Sequence, residues 1–162
     1  MTQKEIIMEH LASMGAAPVE LENVGYVFKH DDINYLYLPD DDDEQFLQIV
    51  IPHLFDVTEE NRVAVLEAIH DTACLLKYAK VCIMRDASAW AIYEHKLCPT
   101  DNMQELLEHI IRVLEATALV FQKKMNGEDV MLFSEDTENP SDDEIEAELQ
   151  KILDMEDENK LV

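Results

Sequence analysis

The sequence predicts an α+β fold: an antiparallel sheet with the order α-β-β-β-α-β-β-α, followed by an acidic C-terminal helix. Three observations carry that prediction. Apolar and aromatic residues follow β-type patterning in VGYVFKH, INYLYLP, EQFLQIVIPHLF, AKVCIMR and AWAIYEHKL. They recur at helical spacing near the N-terminus and over residues 59–77 and 101–124. Short polar turns join the strands within each β group, which makes neighbouring strands antiparallel.

Taken in order, Thr2 and Glu5 form a capping-box pattern ahead of Ile7, Leu11 and Met14, with Gly15 as the C-terminal stop. Asp31-Asp32 then separates two β segments as a tight turn. Pairing His30 with Ile33 sets Phe28 opposite Tyr35 and Tyr26 opposite Tyr37, and leaves Val27, Leu36 and Leu38 on the other face. The run Asp40–Asp43 reads as the solvated tip before the third strand. Placing Leu38 opposite Gln45 puts Phe46 with Tyr35 and Tyr37, and puts Leu47, Ile49 and Ile51 with Leu36 and Leu38. Both faces are then apolar, so cover is expected on both, by helices on one and a second subunit on the other.

Thr58 is placed to cap the second helix, with Leu66, Ile69, Ala73 and Leu76 facing inward. The second hairpin turns between Asp86 and Ser88, with Val81 and Ile83 on one face and Cys82 and Met84 on the other. Asp101 is placed to cap a long helix reaching Lys124. Its apolar residues Met103, Leu107, Ile110, Leu114 and Phe121, with Leu106, Val113 and Val120 beside them, make a stripe of core width.

The predicted division is an α+β domain over residues 1–125 and an acidic extension with an amphipathic helix over 126–162. The extension holds fourteen acidic and two basic residues, half of the chain's net charge of −24. NGEDVMLF could add a short strand there. Ser141 and Glu144 repeat the capping-box pattern, ahead of an apolar seam of Ile145, Leu149, Ile152 and Leu153. The seam reads as one docked stripe on a solvated tail or as a detachable partner helix, and a tail that covers the sheet of a monomer is a further alternative.

A charge of −24 repels phosphate backbones and anionic headgroups, which argues against nucleic acid and membrane surfaces as partners. No stretch approaches the about 18 apolar residues of a membrane helix. Cys74, Cys82 and Cys98 are odd in number and lack CxxC spacing, which suits reduced thiols in a cytoplasmic protein. Gly15, Gly25 and Gly127 are far apart, so the clustered glycines of dinucleotide and P-loop sites are missing. Tested as an EF-hand loop from Asp40 or Asp41, the acidic run meets Gln45 or Phe46 where glycine is needed and Ile51 or Pro52 where glutamate is needed. Weak divalent-cation binding by Asp40–Asp43 is all that it implies.

For zinc, His95 and Cys98 are two ligands where about four are required, and His30, His53, His70 and His109 lack ligand spacing. Ser13, Ser88, Ser134 and Ser141 carry no nucleophile signature. Glu94 and His95 alternate on a strand and so face opposite ways. No catalytic, cofactor-binding or metal-binding residue is assigned, and no cofactor is expected.

Residues 60–97, ENRVAVLEAIHDTACLLKYAKVCIMRDASAWAIYEHKL, follow the three-strand meander, with Asn61-Arg62 opening a helix and Ala79-Lys80-Val81 opening a hairpin. On these features residues 2–125 resemble the YbjN family and the wider type III secretion chaperone-like fold. The resemblance implies a compact, acidic, bacterial, non-catalytic protein, dimeric in many members; the secretion chaperones bind extended client segments. The expectation is a non-enzymatic, cytoplasmic protein-binding or chaperone-like module of unknown client, acting as a homodimer. Its candidate contact residues are Tyr26, Phe28, Tyr35, Tyr37, Trp90, Tyr93, Ile145, Leu149 and Ile152. The alternative is a regulatory protein that binds a small molecule or cation between sheet and helices near Tyr26, Tyr35, Trp90 and Tyr93.

Overall fold

The computed structural model describes residues 1–128, 130, 146, 147, 149–151, 153 and 154. The chain divides into two units, residues 1–130 and 131–162, each treated by itself. Helix α1 (Gln3–Ser13) begins with the reciprocal cap that Thr2 and Glu5 predict. The Glu5 carboxylate accepts the Thr2 N–H at 2.8 Å, and the Thr2 hydroxyl accepts the Glu5 N–H at 3.2 Å. Gly15, at φ 79°, ends the helix in the left-handed conformation that lacks a steric penalty only for glycine.

An additional strand follows, β1 (Val19–Leu21), three exposed residues paired to the next strand. Three residues are too few to register as a period. The turn after it uses Asn23 at φ 62° and Gly25 at φ 154°, where a Cβ would run into the Tyr37 carbonyl. Strands β2 (Gly25–His30) and β3 (Ile33–Tyr37) meet in the predicted register, His30 with Ile33, Phe28 with Tyr35 and Tyr26 with Tyr37. Asp31 and Asp32 both adopt positive φ, at 47° and 63°, which matches a primed turn to the twist of the strands. The Phe28 and Tyr35 rings stack at 5.2 Å.

Strand β4 (Phe46–Asp56) corrects the expected register. Leu36 pairs with Val50 and Tyr37 with Ile49, and the Leu38 N–H reaches the Gln48 carbonyl rather than Gln45. The shift of three residues is odd, so every side chain changes face. Leu47, Ile49 and Ile51 join the face of Tyr35 and Tyr37. The cause lies in the aspartates, which build a longer loop than a tight tip. Asp40 accepts the Asp42 N–H at 2.9 Å and Asp43 accepts the Gln45 N–H at 3.0 Å, two successive side-chain-closed turns.

Helix α2 (Arg62–Leu75) opens on Asn61, and the side chains of Thr58 and Asn61 accept each other's backbone N–H groups before it. It buries Val65, Ala68 and Thr72, so the expected inner set of Leu66, Ile69, Ala73 and Leu76 is rotated by about one residue. Thr72 tolerates burial because its hydroxyl donates to the Ala68 carbonyl at 2.7 Å. Strands β5 (Ala79–Ile83) and β6 (Ser88–Lys96) form the second hairpin, with Cys82 opposite Trp90. Helix α3 (Met103–Met125) is capped by Asn102 rather than Asp101. The Asp101 carboxylate instead accepts the Cys98 N–H at 2.7 Å and lies 3.0 Å from the His95 ring.

The strands form one antiparallel sheet in the order β1-β2-β3-β4-β6-β5. Ile7 and Leu11 of α1, Val65 and Ala68 of α2, and Leu107, Ile110, Leu114 and Phe121 of α3 share one core with Phe28, Tyr35, Tyr37, Leu47, Ile49, Ile51, Val81, Ala91 and Tyr93. The helices therefore lie on one face of the sheet. Leu36, Val50 and Ile92 form a separate cluster on the other, to which, among the described residues, none of α1–α3 contributes a side chain. Helical cover on one face is as expected; what meets the other face is a separate question.

Candidate docking face and the bulge beside it

Strand registers place one row of side chains across the whole sheet face that is free of α1–α3. Val19 stands opposite Val27, Val27 opposite Leu36, Leu36 opposite Val50, Val50 opposite Ile92, and Ile92 opposite Lys80. Five consecutive apolar positions thus run from the β1 edge across five of the six strands. Exposure falls from 60% at Val19 to 1% at Val50. Half-buried Val27, Leu38, Cys82, Met84 and Trp90 pack around the buried members. At the far end the Lys80 ammonium donates to Glu94 at 2.9 Å, and Gln48 donates to the other Glu94 oxygen at 3.2 Å. That hydrogen bond to Glu94, ahead of other causes, raises the Lys80 pKa. The row ends in a neutral pair within a strongly acidic chain.

The predicted aromatic contact residues separate here. Phe28, Tyr35, Tyr37 and Tyr93 are buried beneath the helices, so they are core and not contact residues. Burial is also the main cause that pushes the Tyr37 phenol up to about 12 and raises that of Tyr35 further. Tyr26 is half-buried on the same side, under the Lys4 ammonium at 5.1 Å from its ring centre. Trp90 lies on the helix-free face. Leu149 is exposed in its own helical segment, while Ile145, Ile152, the Ser141–Glu144 pattern and half of NGEDVMLF fall outside the described residues.

Trp90 faces an irregularity in β4. Ile51 pairs with Ala91 and Phe55 with Ala89, so Pro52, His53 and Leu54 together oppose Trp90 alone. Proline cannot donate to the ladder, and a bulge is where a central strand tolerates it. His53 takes φ 55° there, which turns its ring toward β6. The ring meets the Trp90 indole edge-on at 5.3 Å. Its Nδ1 lies 3.1 Å from the Ser88 hydroxyl and 3.3 Å from Asp86. Buried Ser88 donates to Asp86 at 2.6 Å and accepts the Trp90 Nε1–H at 2.8 Å. These bonds, Ser88 first, hold the Asp86 carboxyl below its usual range.

Serine, histidine and aspartate are together, but in the wrong order for nucleophilic catalysis. The serine proton goes to the aspartate rather than to the imidazole, so the hydroxyl is not activated. The network orients an indole. Sequence reading missed it because the three residues come from a bulge and a turn 35 positions apart; Pro52 inside an apolar strand was the available signal.

His95 engages Asp101, and the Cys98 sulfur lies 3.7 Å from the Lys96 carbonyl, so the zinc candidates have other partners. Among the described residues no group of three or more His, Cys, Asp or Glu is arranged to hold a metal ion. A shallow space of about 140 Å³ lies beside Asp40, Asp41, Asp43 and Glu44 under α1. A larger cleft of about 400 Å³ lies between Asp32 and Asn34, the β4 bulge, and Glu115, Leu119 and Gln122 of α3. No helix among the described residues is long and apolar enough to cross a membrane.

No family model and no curated protein matches the chain. Among solved structures, an uncharacterized protein from Methanothermobacter thermautotrophicus is similar over 77% of this chain and 97% of its own, at 13% identity and a TM-score of 0.53. YbjN from E. coli, described as a proposed transcription regulator, is similar over 76% of this chain and 92% of its own, at 9% identity and a TM-score of 0.52. Identities this low establish a common fold and nothing finer.

Proposed function

We propose that the protein is a non-enzymatic protein-recognition module that docks a second copy of itself through the helix-free sheet face. The observation that carries this reading is the partly exposed apolar surface around the buried Leu36, Val50 and Ile92, which ends in the ion-paired Lys80 and Glu94. Two chains that each carry −24 repel one another, so association favours the surface with least net charge. The half-buried Val27, Leu38, Met84 and Trp90 would supply contact area, with exposed Val19 and Leu21 at the margin. YbjN is a proposed transcription regulator; a regulator with this charge would act through protein contacts, since it has few cations to exchange for those around DNA.

Multi-angle light scattering of the full chain tests the reading. The expected result is a dimer that Val19→Asp with Leu21→Asp converts to a monomer of unchanged circular dichroism. A wild-type protein that stays monomeric across the accessible concentration range overturns it. The cleft of about 400 Å³ supports a second reading, a small-molecule regulator, because its volume falls within the range of ligand sites. A saturable rise in melting temperature with one compound from a metabolite screen, absent for Glu115→Ala, would favour it.

A further inference from the structure

The hydrogen-bond inventory at Ser88 determines a protonation pattern. A hydroxyl has one proton and two acceptor positions. The Ser88 proton goes to the Asp86 carboxylate, and the Trp90 Nε1–H can only donate. The third neighbour, His53 Nδ1 at 3.1 Å, must therefore bring its own proton. Neutral His53 is the Nδ1–H tautomer, and its Nε2 remains the basic atom. A second proton can be added at Nε2 without breaking any bond of the network.

Carboxylates stand around the ring. Asp86 from the β5–β6 turn faces it at 3.3 Å, with Ser88 and Trp90 of β6 beside it. On its other side the cleft brings Asp32 of the β2–β3 turn and Glu115 and Gln122 of α3. The charged groups among these are all carboxylates. A protonated ring would tighten on Asp86 and present a cation beside the indole.

We propose that His53 is a proton-responsive positioning residue for Trp90. Imidazole gains charge within the range pH 8 to 5. On gaining it, His53 draws toward Asp86 and locks the indole between Ser88 and the bulge, which sets how Trp90 is presented to the docked copy. The effect on docking rests on the reading above; the coupling of His53 to Trp90 does not.

Trp90 is the single tryptophan of the chain, so intrinsic emission reports on it alone. The test follows emission and its quenching by acrylamide from pH 8 to 5.5 in the full-length wild type and in His53→Asn. Asparagine tolerates the positive φ and carries no charge. Wild-type emission should change over this interval and acrylamide quenching should fall, while His53→Asn stays flat; Asp86→Asn should shrink the wild-type change. The dimer dissociation constant should shift by about two- to five-fold across the same interval in wild type only, the scale of a part-exposed charge pair. A flat wild type, or a His53→Asn profile that follows the wild type, overturns the proposal. Light scattering on the same samples separates the two readings. A dimer with flat emission removes the proton response and keeps the docking face; pH-dependent emission in a strict monomer supports the His53–Trp90 coupling and removes docking.

Discussion

The two faces of this sheet use similar residues to opposite ends. On one, Phe28, Tyr35, Tyr37, Ile49 and Tyr93 lie under three helices and supply the core. On the other, Val27, Leu36, Val50 and Ile92 are just as apolar, yet they answer to no helix of residues 1–130 among those described. A sheet apolar on both faces needs two partners. The helices supply the first within the chain, and the contrast directs attention to the second.

The largest way to test that contrast is to damage each face in turn. Leu114 is completely buried between α3 and the sheet, so Leu114→Ala should cost about 2–5 kcal/mol in urea unfolding. Val19→Ala, at the exposed end of the opposite row, should stay within about 0.5 kcal/mol while weakening self-association. Equal losses of stability at the two sites would contradict the asymmetry.

Gly25→Ala should rank next, at about 1–3 kcal/mol, because it adds a Cβ against the Tyr37 carbonyl at a positive φ. Since β2 serves both faces, this variant should weaken folding and self-association together.

Alkaline titration probes the helix-covered face through its buried phenols. Burial raises the Tyr37 pKa to about 12, so the folded state resists ionisation that the unfolded chain accepts near pH 10. The stabilisation is complete below pH ~10 and is lost as pH rises toward about 12. Tyr37→Phe should flatten that part of the stability profile measured by denaturant unfolding.

The smallest effect belongs to Asp101, whose carboxyl is held low first by the Cys98 N–H and then by His95. Its contribution is present above the ordinary carboxylate value and is lost as pH falls through the lower folded value. Asp101→Asn should remove a slight acid-side decline and leave the sheet face unaffected, as stability profiles below pH ~4 would show.

Sequence legibility followed how tightly each segment constrains itself. The β2–β3 register was readable because Asp31-Asp32 allows one short turn and the aromatic pairs agree with it. The β4 register was not, because a loop of several aspartates leaves its own length open, and an odd shift inverts both faces. In α2, apolar residues at Val63, Val65, Leu66, Ala68 and Ile69 surround the helix, so spacing alone cannot select the inner side. The aromatic site suffered most. Five of its six aromatic members belong to the helix side, and Trp90 emerged with neighbours, Asp86, Ser88 and His53, that only the bulge brings together.

Methyl NMR across a dilution series tests most directly whether the helix-free face is the docking face. Signals of Val19, Leu21, Val27 and Leu38 should move with protein concentration while those of Leu107, Ile110 and Leu114 hold still. Concentration-independent signals along the row, or movement confined to Val63, Leu66 and Leu119 on the exposed helix surfaces, would contradict the account.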